Sequence, residues 1–424
     1  MKITIGAKTY TAIKNLSFAP ETDVTGSSVP INEYTVDIVT SDTISTGQYA
    51  LLYDDRDGLW ARYWITDADR VDPGTVRVKA ASFLFLLDRR ELGGKMYAAA
   101  SLSSVLSDVF GSLPVTYAID SALQSAAVTG WCPQQSARER LQSVCFVLGA
   151  YLKTFFTDKD LEIKVRDTGN TLIPLDKTYW RPSLRASDVV TGLKVTAFSF
   201  EQKAPEATDE YVTDGDYWYV VTRQDFTLAN SNAPSGAAEN VVTVDNCMLV
   251  NSGNVSAVLS QMAQWYFNRT EIELDAINNA DFVPGQKVFA YTDETTIEQG
   301  YMDSATFTFG LQAKSRIHIV SVETQTGATL TINYKYDDTL VGQAVYTFPV
   351  GYAYTVANPF VDWTANGHRY VFRPENQNAT GTMASGSNVN NQPYDVALHC
   401  YENILHVISV SDIQEQSEGK VRIG

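Results

Sequence analysis

The sequence predicts a mainly β fold with a smaller α+β part, and three observations predict it. Residues 1–92 are filled with short alternating or β-branched runs separated by turn residues. Residues 93–189 change period, with apolar side chains recurring three and four apart. Residues 190–325 and 326–424 return to strand-like runs, with one long helical interruption at 254–268. A chain of 424 residues has room for about three domains.

In the first segment, "KITIG", "TYTAI", "EYTVDIV", "YALLY", "ARYWIT" and "TVRVKAASFLFLL" read as strands. Turn signals such as Asp57-Gly58 and Pro73-Gly74 divide them, a spacing that suggests a barrel or sandwich. "YDDRDG" (Tyr53–Gly58) lacks the spaced carboxylates of a calcium loop and reads as a hairpin tip.

Gly93-Gly94 breaks that pattern, and Leu102, Val105 and Val109 then sit at helical spacing ahead of Gly111. Ser136-Ala137-Arg138-Glu139 is a capping box, in which the serine accepts from a free amide and the glutamate reaches back. Leu141, Val144, Cys145 and Leu148 share one helical face, and Gly149 suits a left-handed C-cap. Tyr151–Phe156, a turn at Asp158-Lys159-Asp160, and the alternation of Leu161, Ile163 and Val165 read as a hairpin.

In the third segment "VTGLKVTAFSFEQ" and "YWYVVTRQDFTL" are strands. Val255, Val258, Leu259, Met262, Trp265 and Tyr266 then define an amphipathic helix, with Trp265 expected in the core. "VPGQKVFAYT", "GYMDSATFTFG" and "KSRIHIVSVE" are strands, Pro284-Gly285 being a type II turn candidate. In the last segment "ATLTINYKYDD", "AVYTFPVG", "YAYTV", "RYVF" and "DVALHCYE" are strands around an Asn/Gly/Ser-rich stretch, 376–392, expected to be an exposed mobile loop.

The formal charge is −17, and residues 201–300 hold 16 acids against 4 bases. Such a surface repels phosphate, which argues against sequence-specific nucleic-acid binding. It suits either a solubilising face or a wall past which nucleic acid slides. Cys132, Cys145, Cys247 and Cys400 are widely spaced, so neither a disulfide framework nor a zinc site is expected. The N-terminus lacks a signal-peptide pattern, and no apolar run is long enough to cross a bilayer.

Catalytic patterns are sparse. His318, His368, His399 and His406 form no ligand motif, and His318 alternates within "RIHIVSV" as a strand residue. No nucleophile elbow, phosphate-binding loop or dinucleotide fingerprint occurs. No catalytic, metal or cofactor residue is assigned, and a structural role is expected rather than an enzyme. The chain has 23 tyrosines and 7 tryptophans, and the clustered rings of "YWYV" and "QWYFNR" leave carbohydrate- or host-binding adhesin as the alternative. A cell-wall hydrolase with an unrecognised site ranks below both.

The order of these elements resembles the bacteriophage tail-hub, or baseplate-hub, family, also found in contractile injection tails. The resemblance spans about residues 1–325 and rests on "LWARYWITDADRV", "VKAASFLFLLDRRELGGKMY" and "VTGWCPQQSARERLQSVCFVLGAYLKTFFTDKDLEIKV". It continues through "VDNCMLVNSGNVSAVLSQMAQWYFNRTEIELD" and "DFVPGQKVFAYTDETTIEQGYMDSATFTFG". It implies two tube-like β-barrel domains, 1–92 and 190–325, with a helix-plus-hairpin accessory domain at 93–189 between them. Residues 326–424 lie outside it as a β-sandwich-like decorating domain. The resemblance further implies a homotrimeric ring that continues the tail tube of a virion after synthesis in the host cytoplasm. Its expected partners are the distal tail protein, the tape-measure protein end, and tail fibre or receptor-binding proteins. DNA would pass through without specific binding. On that reading Asp209, Glu210, Asp214, Asp216, Asp225, Glu239 and Asp245 are candidate lumen-facing acids.

Overall fold

Alternation in the first eighty residues becomes strand pairing with one apolar face. The computed structural model describes residues 1–23, 25–165, 171–173, 177–179, 182–186, 188–268, 270–277, 282–293, 296–309, 314–325, 327–336, 338–357, 362–365, 368–371, 378–393 and 395–399. Glu33–Val39 runs antiparallel to Thr75–Ala81, with Tyr34 opposite Ala80, Val36 opposite Val78 and Ile38 opposite Val76. All six side chains are buried, as the two-residue period of a strand requires once one face is covered. The hairpin tip at Asp54 is closed by its own carboxylate, whose Oδ1 accepts from Arg56 N at 2.8 Å and Gly58 N at 2.7 Å.

Among the described residues these strands join a thirteen-stranded sheet. Its path runs through Ser183–Ala186, Thr270–Ile277, Lys314–Gln325 and Ile297–Thr308. It continues through Ile13–Phe18, Glu33–Val39, Thr75–Ala81, Leu59–Asp72 and Tyr49–Tyr53 to Lys2–Ile5 and Lys8–Tyr10. Thr171–Ile173 adds in parallel to Lys287–Tyr291, which pairs with Ile297–Thr308. The first sequence segment and the part of the third beyond residue 270 are therefore one hydrogen-bonded system, with a common core that includes Val36, Trp60, Tyr63, Ile272, Leu274, Phe307 and Ile317.

A second core gathers the helices: α1 (Leu84–Asp88), α2 (Leu102–Phe110), α3 (Ala137–Leu148) and α4 (Val255–Tyr266). Val105, Val109, Leu141, Val144, Val258 and Leu259 meet there with Leu193 and Val195 of the strand Gly192–Gln202. Residues 190–325 thus feed both cores, the part before residue 268 with the helices and the part after it with the N-terminal strands. Alternation tells that a strand has a buried face, but not which strand lies beside it.

Local signals are realised closely. The Ser136 hydroxyl accepts from Glu139 N while the Glu139 carboxylate accepts from Ser136 N, and Gly149 caps α3 at φ 62°, ψ 32°. Ala150–Lys153 and Leu161–Val165 pair antiparallel, Lys153 opposite Glu162. Two readings need correction. "TVRVKAASFLFLL" is a strand only to Ala81; Ser82 N donates to Asn32 O at 2.7 Å and the chain turns into α1. Phe83, Leu84 and Leu87 are buried together, at helical rather than strand spacing.

The structure divides into two units, residues 1–294 with 298–324, and residues 295–297 with 325–424. In the second, Gly327–Tyr336 pairs antiparallel with Thr339–Pro349 and parallel with Ser387–Pro393. Its core contains Leu330, Ile332, Tyr334 and Tyr354. The expected polar loop at 376–392 is the second correction, since most of its described part pairs as Ala379–Thr382 and Ser387–Pro393. Its amides supply the reason: Gln343 Nε2 donates to Asn333 Oδ1 at 2.9 Å, and Asn333 Nδ2 to Asn391 Oδ1 at 3.2 Å. Such a ladder across three strands makes an amide-rich stretch a good strand. Asn376, Cys400 and His406 lie outside the described residues.

Candidate functional site

Two regions of the first unit carry the chemistry the sequence singled out. One is the acid-bearing sheet, ordered Tyr211–Asp214, Tyr217–Ala229, Gly192–Gln202, Val241–Val244. The other is the seam where the N-terminal strands meet those beyond residue 270.

All seven candidate acids lie on or beside the four-stranded sheet, and none on the thirteen-stranded one. They do different work. Asp225 pairs with Lys194 Nζ at 2.7 Å and accepts from Thr196 Oγ1 at 2.7 Å. The Lys194 hydrogen bond, then that of Thr196, holds its carboxyl below the usual range. Glu210 pairs with Arg223, whose guanidinium lies 5.4 Å from the centre of the Phe198 ring. Asp209 accepts from Glu206 N and Asp214 from Met96 N, both at 3.0 Å. Asp216, Glu239 and Asp245 are exposed, and Asp245 is near enough to Lys194 and Arg223 to favour their charged forms. Exposed pairs of this kind contribute little stability; their main effect is on the surface potential.

The same sheet bears exposed rings. Tyr211 and Trp218 sit 5.0 Å apart at 40°, and Tyr217 is 58% exposed. Trp265, expected in the core, is only partly buried and lies 6.1 Å from the Tyr301 ring. Helical spacing gave it the right face of α4, but at the end of the helix that face opens into a cavity.

At the seam, Phe307 pairs with Phe18 and Thr308 with Ser17. Ala305 N donates to Pro20 O at 3.0 Å, and Thr22 N to Asp303 O at 2.8 Å. Aromatic rings fill the join: Phe18 stacks on Phe307 at 6.0 Å, and Trp60 meets Phe307 edge-on at 4.7 Å. Beside it lies a polar cavity of about 380 Å³, lined from the 21–30 loop, the end of α4 and three strands, with Glu21, Asp23, Glu271, Asp303 and His318 in its wall. Sequence reading missed this cluster because its members are far apart in the chain; the one available signal was a histidine alternating with apolar residues.

Among the described residues, no group of three or more His, Cys, Asp or Glu is placed to hold a metal ion. Burial pushes the thiols of Cys132 and Cys145 up to about 12 and that of Cys247 to about 11, which makes poor nucleophiles of them. Among the described residues no helix is long and apolar enough to cross a membrane.

No protein-family model matches the sequence, and no curated protein matches it. Similarity is found in solved structures. A tail protein from Neisseria meningitidis MC58 superposes with a TM-score of 0.50 at 10% identity, over 75% of this chain and 95% of that one. This chain has the tail-protein fold. The 43 kDa tail protein of prophage MuSo2 from Shewanella oneidensis aligns over 75% of this chain and 95% of its own, at 11% identity and TM-score 0.49. An Escherichia coli type VI secretion component, described as similar to bacteriophage T4 tail proteins, aligns over 94% and 100%, at 10% identity and TM-score 0.49.

Proposed function

We propose that this chain is a structural, non-catalytic hub of a phage-type tail tip or baseplate, assembled as a homotrimeric ring. The observation that carries the reading is the tail-protein fold, shared over nearly the whole length of the Neisseria protein. The independent resemblance of the sequence to tail hubs supports it. So does the sheet itself, in which strands from 1–81 and from 270–325 form one continuous system. In the proposed ring residues 1–92 and 190–325 form paired tube-like barrels, so three chains present six similar units to a sixfold tube. Closed rings of this kind form through heterologous contacts between unlike faces. The neighbours would be the distal tail protein, the tape-measure protein end, and tail fibre or receptor-binding proteins, all within the virion.

The acids belong to the same proposal. A channel for DNA works best with walls that repel phosphate, and only charges within about 8 Å of the polymer are felt at physiological salt. Because Asp209, Glu210, Asp214, Asp216, Asp225, Glu239 and Asp245 all lie on or beside the smaller sheet, the proposal requires that sheet to border the channel. A ring reconstruction with that sheet on the outer rim contradicts this part of it.

The exposed Tyr211, Tyr217 and Trp218 favour the second reading, a carbohydrate- or host-binding adhesin. Light scattering separates the two. A hub gives a particle of three times the 46.8 kDa chain mass, seen as rings in micrographs. A persistent monomer that is retained on cell-wall glycan contradicts the hub and supports the adhesin.

A further inference from the structure

The strands Thr270–Ile277 and Lys314–Gln325 bring opposite charges face to face. Ile277 lies opposite Lys314, Asp275 opposite Arg316 and Glu273 opposite His318. Residues two apart on a strand share a face, as do directly opposed residues on neighbouring strands. One face therefore carries Glu271, Glu273 and Asp275 on one strand against Lys314, Arg316 and His318 on the other. Asp275 is held by Lys314 and by Arg316 Nε, the latter at 3.1 Å. The Arg316 guanidinium keeps its charge at any physiological pH, whereas His318 is an imidazole whose charge is conditional.

His318 also reaches beyond this pair of strands. Its Nδ1 lies 2.8 and 2.9 Å from the two carboxylate oxygens of Asp303 on Ile297–Thr308. Its Nε2 lies 3.4 Å from Glu271 Oε2. Asp303 is the residue whose carbonyl accepts Thr22 N, and its neighbour Ser304 bridges to Glu21. The cluster therefore sits where the N-terminal strands join the rest of the sheet. Facing His318 and its cavity are Glu21 and Asp23 from the loop, Tyr266 from α4, Glu271 and Glu273 from one strand and Asp303 from another. Arg316 follows along its own strand. Among the described residues lining the cavity there is no lysine or arginine.

We propose that His318 is a proton-operated clasp at this seam. As an imidazolium it donates from Nδ1 to Asp303 and from Nε2 towards Glu271, tying three strands together beside the 21–28 loop. As a neutral imidazole it donates from one nitrogen only, and the carboxylates of Asp303 and Glu271 lose the positive charge between them. The hydrogen bond His318 donates to Asp303, opposed by burial and assisted by the charges of Asp303 and Glu271, raises the histidine above its ordinary value of 6.5. The sign follows: a group whose pKa is raised on folding stabilises fully below its unfolded value, and that stability is lost as pH rises through the folded value. The clasp is closed in mild acid and open in mild alkali. The other histidines, His368, His399 and His406, all lie in the C-terminal hundred residues, so imidazole titration in residues 1–324 belongs to His318.

The test uses the full chain and two readouts. Urea unfolding of wild type and H318Q is compared at about pH 6 and about pH 8.5; the wild-type unfolding constant should rise about fivefold more than that of the variant. Histidine-selective NMR should show one imidazole titrating above the ordinary range, absent from H318Q and shifted back down in D303N. If H318Q does not fold, the D303N shift alone identifies the resonance. Equal pH dependence in wild type and H318Q, or no imidazole titrating above the ordinary range, overturns the proposal.

Discussion

Ser136 and Glu139 satisfy two backbone donors that the start of α3 would otherwise leave free. Ser136 is itself buried, so water replaces its hydroxyl poorly. Ser136→Ala should lower unfolding stability by about 1 kcal/mol, read as a shift in the urea midpoint without a change in slope. This is also where the sequence was most legible. Ser136, Glu139 and Gly149 act on backbone groups within four residues of themselves, so their roles do not depend on distant chain. His318 is the opposite case. Its partners, Asp303 and Glu271, lie 15 and 47 residues away, and only the sheet register brings them together. Trp265 falls between the two: its helix and helical face follow from local spacing, but the cavity beside it depends on the 21–30 loop.

At the scale of elements, two cores are built from segments far apart in sequence, and close backbone approaches hold them in place. Gly130 illustrates this. It sits at φ +132° in Ala127–Cys132, where a Cβ would come within 2.4 Å of Met248 O and 2.9 Å of Leu249 Cα. Trp131 N donates to Met248 O at 3.2 Å and Asn251 Nδ2 to Thr129 O at 3.2 Å, so the segment leading into α4 is pressed against this strand. Gly130→Ala therefore meets both an unfavourable backbone angle and backbone atoms that cannot rotate away. It should cost about 2–4 kcal/mol and, by displacing 248–251, loosen α4 before the thirteen-stranded sheet. Hydrogen exchange comparing amides of 255–266 with those of 33–39 would show it; equal deprotection of both would contradict it. Strand identities were readable from alternation, but their order was not. That Phe18 pairs with Phe307 rests on complementary burial across the whole chain, which no local window contains.

For the whole molecule, the tail-protein fold and the acidity of residues 201–300 belong to one account, in which the chain is a rigid ring component. Asp160 ties separate parts of the first unit together. Its fully buried carboxylate accepts from Arg62 Nε at 3.0 Å and from Thr116 N and Oγ1 at 2.7 and 2.8 Å, joining the N-terminal strands to the helix-plus-hairpin part. A buried carboxylate so satisfied fixes geometry more than it adds net stability. The measurement that tests the account most directly is the position of this chain in assembled particles, by electron microscopy with gold-labelled antibody against it. The account predicts label confined to the distal end of the tail. Label along the tail shaft or on the capsid, or particles that carry none, would contradict it.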